Sequence, residues 1–120
     1  MKVINSVLSF LMIVLSVQAK SIHLKQNTIL DKNIGESYTT FIVDDRLDLQ
    51  GALIRLPFKS TLSFTANGSI HNGRIVGNYS LIKAGSRLIF DNVTIEGNWR
   101  NTKVYSKWFY LDNGHKSNNY

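Results

Sequence analysis

The residues whose types suit catalysis are a histidine and a small set of carboxylates. His71 and Asp91 lie twenty positions apart, and a carboxylate beside an imidazole raises the imidazole pKa and equips the pair for acid–base chemistry. Glycoside hydrolysis needs two carboxyl groups, one to protonate the leaving oxygen and one to act as base or nucleophile. The further carboxylates considered for that role are Asp44, Asp45 and Asp48. Solvated turn carboxylates and a surface His–Asp pair are the more ordinary interpretation, so no catalytic residue is assigned.

Composition and spacing exclude several other kinds of site. The chain has no cysteine, which excludes a disulfide scaffold, a thiolate metal site and a cysteine nucleophile. His23 and His115 lie near the two ends of the chain and fit no metal-ligand spacing. Neither a metal nor a cofactor is therefore expected.

Basic and aromatic side chains suggest a surface that binds acidic sugars. The 120 residues include 14 Lys and Arg against 8 Asp and Glu, for a formal charge of +6. A basic face suits an acidic polysaccharide or an anionic cell surface, and exposed aromatic rings can stack on sugar rings. The carbohydrate-binding candidates are Arg74, Lys83, Arg87, Tyr79 and Trp99. A solvated charged face is the ordinary alternative, and Trp108 and Phe109 are expected in the core.

The elements that must position these residues repeat every twenty positions. Segment 70–79 can be laid over 90–99, and an aromatic residue closes each copy. The matched pairs are Asn72 with Asn92, Ile75 with Ile95, Gly77 with Gly97, and Asn78 with Asn98. Internal identity at a fixed period is typical of a repeat architecture.

Further copies extend this period upstream. Segment 60–64 lies over 80–84, and 40–44 lies another twenty residues upstream. Residues 46–49 resemble 87–90 at an offset of 41, as if one turn held an extra residue.

Alternating side chains assign the two faces of each strand. Val93 and Ile95 are expected to face inward, whereas Thr94 and Glu96 face outward. A second inward column at twenty-residue spacing is formed by Ile42, Leu62 and Ile82.

A repeat of this length, made of short strands and turns, predicts an all-β parallel β-helix with coils of about 20 residues. Successive coils stack about 4.8 Å apart, so Asn72 over Asn92 and Asn78 over Asn98 are expected to form amide ladders at two corners. An antiparallel sandwich is the alternative, for which two Asn-Gly pairs are suitable hairpin turns. The matching columns favour the β-helix. Its turns are expected to draw backbone freedom from Gly77 and Gly97.

The first nineteen residues have the pattern of a secretory signal peptide. Lys2 precedes an apolar stretch, and Val17 and Ala19 are small residues at positions −3 and −1 of a cleavage site. The apolar stretch is shorter than the about 20 residues needed to cross a bilayer. The protein is therefore expected to be secreted, periplasmic or at the cell surface, with no stable membrane span after cleavage and no nucleic-acid partner.

The remaining chain divides into coils at 20–109 and a polar tail at 110–120, which is expected to be poorly ordered or truncated. A stack of about five coils at most ends in unpaired N–H and C=O groups, and such an edge invites pairing. A truncated or partial protein is therefore expected, or one that stacks on further β-helix coils or on itself.

The repeated Asn-x-x-Ile-x-Gly-Asn-aromatic motif, followed by Trp108-Phe109, resembles a known family. It is similar to the N-terminal region of secreted bacterial right-handed parallel β-helix proteins of the pectate lyase superfamily, which includes polygalacturonase-like proteins. The resemblance covers 47–109 and is most specific at 91–99. It implies right-handed coils and full-length relatives that are polysaccharide lyases or glycoside hydrolases. Nothing in this chain aligns with their catalytic carboxylates, and Trp108-Phe109 lacks the family's Gly-Ala-x-Gly-Asp-Gly continuation.

Three functions remain open on this basis. The first is a secreted, non-catalytic β-helix segment of a pectate-lyase-like, polysaccharide-associated protein. The second is an enzyme that cleaves a uronic-acid polymer with His71, Asp91 and a neighbouring basic residue. The third is a module that binds a polysaccharide or a cell surface.

Overall fold

The computed structural model describes residues 20–30 and 35–109. The predicted signal peptide at 1–19 and the predicted tail at 110–120, with His115, lie outside the described residues. The strands are β1 (Ser21–His23), β2 (Thr40–Val43), β3 (Arg46–Asp48), β4 (Leu53–Arg55), β5 (Thr61–Phe64), β6 (Ser69–Lys83) and β7 (Phe90–Trp99), followed by a 3₁₀ helix at Ser106–Trp108.

All strand pairs are parallel, and they form three ladders around one core. The first ladder runs β1–β2–β5 and ends on the last residues of β6. The second pairs β3 with the start of β6, and the third pairs β4 with its middle; β7 adds to both. The chain is thus a β-solenoid of about four turns with coils of about 20 residues, which confirms the predicted fold and rules out the antiparallel sandwich.

The register of the last two coils follows the sequence repeat. Ile75 pairs with Ile95, Gly77 with Gly97 and Asn78 with Asn98, as the offset of twenty predicts. On the first ladder Leu62 pairs with Ile82. After Asn78 the register shifts, so Trp99 pairs with Ser80 rather than with Tyr79, the residue that the sequence repeat matches to it.

Two upstream alignments were wrong because earlier corners have other lengths. β2 pairs with β5 at an offset of 21, so Phe41 lies beside Leu62, and the partly exposed Ile42 pairs with Ser63. Since side chains alternate, a slip of one residue exchanges the two faces. Leu47 pairs with Ile70, which pairs with Phe90, so the 46–49 copy aligns with 89–92 rather than with 87–90.

The core is a set of apolar columns inside the coils. One column contains Phe41, Leu62 and Ile82, and a second contains Leu47, Ile70 and Phe90. Burying such side chains stabilises the fold by about 1.5–3 kcal/mol each. At the C-terminal end Trp108 is buried, its indole donates a hydrogen bond to the carbonyl of Gly85 at 2.9 Å, and Phe109 packs against the core.

The corners are made by single residues in the left-handed backbone region. Asn72 and Asn92 have φ of 60° and 59°, and Lys59 and Tyr79 have 52° and 51°. Asparagine tolerates this region better than other side chains that carry a Cβ. The corners therefore recur in register from coil to coil.

The two paired glycines have different roles, which corrects the expectation that both free the backbone. Gly97 has φ of 84°, in the left-handed region. Gly77 does not, and the left-handed residue of that corner is Tyr79. A Cβ on Gly77 would lie 2.4 Å from Cε2 of Trp99, so Gly77 makes room for the indole ring.

An amide side chain caps a backbone edge towards each end of the stack. The Gln26 side chain accepts a hydrogen bond from the N–H of Asp48 and donates one to its C=O, both at 2.8 Å. Asn101 does the same for Ile82, at 2.8 and 2.9 Å. Each side chain replaces a neighbouring strand at one residue, which blunts an edge that could otherwise pair with another chain.

Candidate functional site

Three exposed aromatic side chains form a row along one corner of the solenoid. The ring centroids of Tyr38 and Phe58 are 5.9 Å apart, those of Phe58 and Tyr79 are 5.8 Å apart, and both pairs meet edge to face. The exposed fractions are 58% for Tyr38, 38% for Phe58 and 51% for Tyr79. We call these three residues the aromatic row. Contiguous exposed apolar surface of this kind is typical of an interaction site.

The corner backbone positions the row. Tyr38 and Tyr79 both have positive φ, which turns the chain sharply at the same place in different coils. The N–H of Tyr38 donates to the carbonyl of Phe58 at 2.9 Å, and this bond fixes one coil on the next. The rings therefore follow the coil stacking rather than a flexible loop.

Two basic side chains lie beside the row. Lys59 Nζ is 5.6 Å from the Phe58 ring centroid, within the range of a cation–π contact. Arg100 is exposed, and its Nε donates to the carbonyl of Tyr79 at 2.6 Å. The row thus combines apolar faces with positive charge.

Of the predicted carbohydrate-binding residues, only Tyr79 belongs to the row. Trp99 is half-buried against Gly77, and its Nε1 donates to the carbonyl of Glu96 at 2.7 Å. Lys83 is exposed on the first ladder.

The two predicted arginines are engaged in the fold. Arg74 makes a two-point ion pair with Glu96, at 2.9 and 3.0 Å, and the hydrogen bonds from Arg74 hold the pKa of Glu96 below its usual value. Arg87 donates to the carbonyls of Thr65, Gly68 and Leu88. Arg87 therefore fixes the corner between β5 and β6 through these hydrogen bonds.

The two predicted asparagine ladders have different outcomes. Asn92 Nδ2 donates to Asn72 Oδ1 at 3.0 Å, and Asn72 Nδ2 donates to Asp48 Oδ1 at 3.3 Å. Asn78 and Asn98 lie in register, but no hydrogen bond joins their side chains in the described part of the chain. Both side chains are exposed to solvent, and the amide ladder expected there is not formed.

His71 lies beside Asp91, as the offset of twenty predicts. The two residues pair in register, and His71 Nδ1 is 3.5 Å from Asp91 Oδ2. The other ring nitrogen, Nε2, is 2.9 Å from Ser69 Oγ. Only 13% of the His71 side chain is exposed, against 52% of Asp91.

Burial holds the pKa of His71 below its ordinary value, and the positive charge of Arg46 lowers it further. The negative charges of Asp91 and Asp48 act in the opposite direction without cancelling this effect. Burial therefore favours the neutral imidazole, which is the form able to accept a proton.

The carboxylates of Asp44, Asp45 and Asp48 each bind a different partner. Asp44 Oδ2 is 2.8 Å from His23 Nδ1, and that hydrogen bond holds the pKa of Asp44 below its usual value. Asp45 Oδ2 lies 3.9 Å from Lys25 Nζ. The carboxylate of Asp48 accepts from the N–H of Gln50 at 2.8 Å as well as from Asn72.

Comparisons with protein-family models, with the curated proteins and with the solved structures found no match to this chain. Its function must therefore be argued from its own side chains. Within residues 20–30 and 35–109, no group of three or more His, Cys, Asp or Glu side chains could hold a metal ion. The same residues include no helix long and apolar enough to span a membrane.

Sequence reasoning missed two members of the row and the partner of His71. Phe58 lies one residue before Lys59, which is the residue in register with both Tyr38 and Tyr79, so an alignment of the coils does not join the three rings. Ser69 is two residues before His71 on the same strand, and residues at that spacing share a face. The signal for Ser69 is therefore present in the sequence.

Proposed function

We propose that this protein is a secreted β-solenoid segment that binds acidic polysaccharide along the aromatic row and does not cleave glycosidic bonds. The observation that carries the proposal is the row itself, formed by Tyr38, Phe58 and Tyr79 on successive coils. The resemblance to the leading coils of the pectate lyase superfamily supports a polysaccharide as partner. The signal-peptide pattern of residues 1–19 supports secretion.

A polysaccharide is a chain of sugar rings, and it can contact the side chains of the aromatic row one after another. Tyrosine and phenylalanine offer rigid apolar faces, and the tyrosine hydroxyl adds a polar group that can bind sugar hydroxyls. Because the rings repeat along the solenoid axis, consecutive sugars of one strand can contact consecutive coils. A single small ligand would use only part of this surface.

The charges beside the row favour an acidic polymer. Lys59 and Arg100 flank the rings, and the chain as a whole has a formal charge of +6. Both positive charges would increase the affinity for uronic-acid carboxylates, and added salt would screen the charges and lower that affinity. A neutral polysaccharide would bind through ring stacking alone.

The contacts made by the carboxylates are evidence against cleavage of glycosidic bonds. Glycosidases place two carboxyl groups about 5–10 Å apart around one bond. Here Asp44 binds His23 and Asp48 binds Asn72, so each serves a neighbour in its own corner. This supports a segment that does not hydrolyse glycosidic bonds over the glycoside hydrolase alternative.

Affinity electrophoresis tests the proposal with the full 120-residue chain. Migration is compared in native gels that contain polygalacturonate, a neutral glucan, or no polymer. We expect retardation by polygalacturonate that weakens with added salt. The triple variant Tyr38→Ala, Phe58→Ala, Tyr79→Ala keeps every charge and should be retarded much less than the wild type.

The matched control is Val104→Ala, which shortens an exposed apolar side chain outside the row and should keep the retardation. Circular dichroism confirms that each variant is folded. Unretarded wild-type migration in every gel, or equal retardation of the triple variant, contradicts the proposal.

A further inference from the structure

Ser69, His71 and Asp91 lie in one line on the outer face of the second ladder. Ser69 Oγ is 2.9 Å from His71 Nε2, and His71 Nδ1 is 3.5 Å from Asp91 Oδ2. Ser69 and His71 share a face of β6 because they are two residues apart. Asp91 is the neighbour of His71 on β7. The solenoid register therefore places the Ser69 hydroxyl next to the His71 imidazole, and that imidazole next to the Asp91 carboxylate.

The His71 imidazole is oriented to accept the proton of the Ser69 hydroxyl. The Asp91 carboxylate favours the tautomer with its proton on Nδ1, which leaves the Nε2 lone pair directed at the Ser69 hydroxyl. A hydroxyl, a neutral base and an orienting carboxylate are the parts of a nucleophilic hydrolase site, on whatever fold they occur.

We propose that Ser69, His71 and Asp91 form a hydrolytic site for small carboxylic esters such as acetyl esters. Ser69 Oγ attacks the ester carbonyl carbon while His71 Nε2 takes the hydroxyl proton. The C–O bond to the alcohol then breaks, and His71 returns the proton to the leaving alkoxide. Water deprotonated by His71 attacks the acyl-serine, which releases the carboxylic acid and restores the Ser69 hydroxyl. Asp91 is a positioning residue.

A cation lies next to the nucleophile. Arg46 pairs with Ser69 in the β3–β6 register, is exposed, and is close enough to His71 to affect its pKa. A guanidinium in this place stabilises the negative oxygen that forms when a serine attacks an ester. The charged groups that face His71 are thus Arg46 and Asp48 on β3 and Asp91 on β7.

This activity goes beyond the proposed polysaccharide binding and does not depend on it. The aromatic row is made by other residues, so loss of polymer binding and loss of ester hydrolysis can occur separately. A site on the outer face of a ladder suits a small acyl group carried on a larger molecule.

The test uses the full chain, p-nitrophenyl acetate as substrate and a fluorophosphonate probe that modifies activated serines. We expect hydrolysis above the rate of free imidazole and one phosphonyl group, located on Ser69 by mass spectrometry. Ser69→Ala and His71→Gln should each lower the rate by about 100-fold or more, and Ser69→Ala should abolish labelling. The matched control Ser63→Ala removes a partly buried hydroxyl on β5. It should keep the wild-type rate of hydrolysis and the labelling of Ser69.

The pH profile separates a catalytic from a structural role. Neutral His71 is the active form, so the rate should fall as the pH drops through the His71 pKa, with a midpoint below 6.5. Asp91→Asn removes a charge that raises this pKa and should move the midpoint lower, whereas Arg46→Gln should move it higher. Hydrolysis that survives Ser69→Ala at the wild-type rate, labelling elsewhere, or no hydrolysis above free imidazole overturns the proposal.

Discussion

The side-chain amide of Asn92 donates to Oδ1 of Asn72 at 3.0 Å, and the two residues have nearly the same backbone, with φ of 59° and 60°. One residue type thus satisfies two needs at this corner. Asparagine accepts the left-handed backbone at low cost, and its amide joins the corner to the coil before it. The link extends to Asp48 through a further hydrogen bond at 3.3 Å.

Replacing Asn72 should therefore separate the backbone and amide contributions. Asn72→Ala loses both, and we expect the free energy of unfolding to fall by about 2 kcal/mol. Asn72→Gly keeps the left-handed backbone and loses only the amide, so its loss should be about 1 kcal/mol. Urea denaturation followed by circular dichroism measures both. Equal stabilities for the two variants would show that the backbone conformation costs nothing here.

Gly77 should not tolerate even a methyl group. An added Cβ would lie 2.4 Å from the Trp99 ring and 2.8 Å from the Asn98 carbonyl oxygen, so Gly77→Ala should cost about 1–3 kcal/mol and shift the Trp99 fluorescence. Gly85→Ala is the matched control, because its Cβ would meet nothing within 4 Å. Thermal unfolding compares the two variants. A Gly77→Ala protein as stable as Gly85→Ala would mean that Trp99 does not pack where the structure places it.

The amide of Asn101 should protect a sheet edge. Asn101→Asp keeps the acceptor for the Ile82 N–H but replaces the donor that satisfies the Ile82 carbonyl. We expect a loss of about 1–3 kcal/mol and self-association that grows with concentration. Asn98→Asp introduces the same charge at an exposed asparagine. It should neither lower the stability nor cause self-association. Analytical ultracentrifugation reads the association state, and two monomeric variants of equal stability would count against an edge-capping role.

Acid should weaken the corner that Asp48 supports. The N–H of Gln50, and then the amide of Asn72, hold the pKa of Asp48 below 3.8 in the folded protein. A lowered folded pKa means that the carboxylate contributes stability above the unfolded pKa and loses it as the pH falls through the folded pKa. Asp48→Asn should therefore flatten the fall of stability below about pH 4. Urea midpoints between pH 2 and 6 provide the comparison, and parallel curves for both proteins would refute the assignment.

The sequence predicted the solenoid because residues 70–78 and 90–98 repeat at a constant offset of twenty. The same offset failed for Ile42, since one extra residue between coils reverses which side chains face the core. The repeat also gave no sign of the aromatic row, because Phe58 lies one residue before Lys59, the residue in register with Tyr38 and Tyr79. The pairing of His71 with Asp91 followed directly from the repeat.

What the sequence could not supply was the use made of each polar side chain. Arg87 resembles a surface cation in the sequence, yet its guanidinium donates to backbone carbonyls at a corner. Trp99 resembles an exposed corner aromatic, yet it packs against Gly77. Such roles depend on where the neighbouring coil places its backbone, and that is set by the stacking rather than by any local pattern.

The central claim is that polysaccharide contacts Tyr38, Phe58 and Tyr79 together. Titrating the full chain with oligogalacturonate, while aromatic ring signals are followed by NMR, tests this most directly. The account predicts shifts concentrated on these three rings, with Trp99 and Trp108 unchanged, and loss of the Tyr38 and Tyr79 shifts in Phe58→Ala. Saturating shifts confined to Trp99 or to other aromatic rings, or no shifts at any concentration, would contradict it.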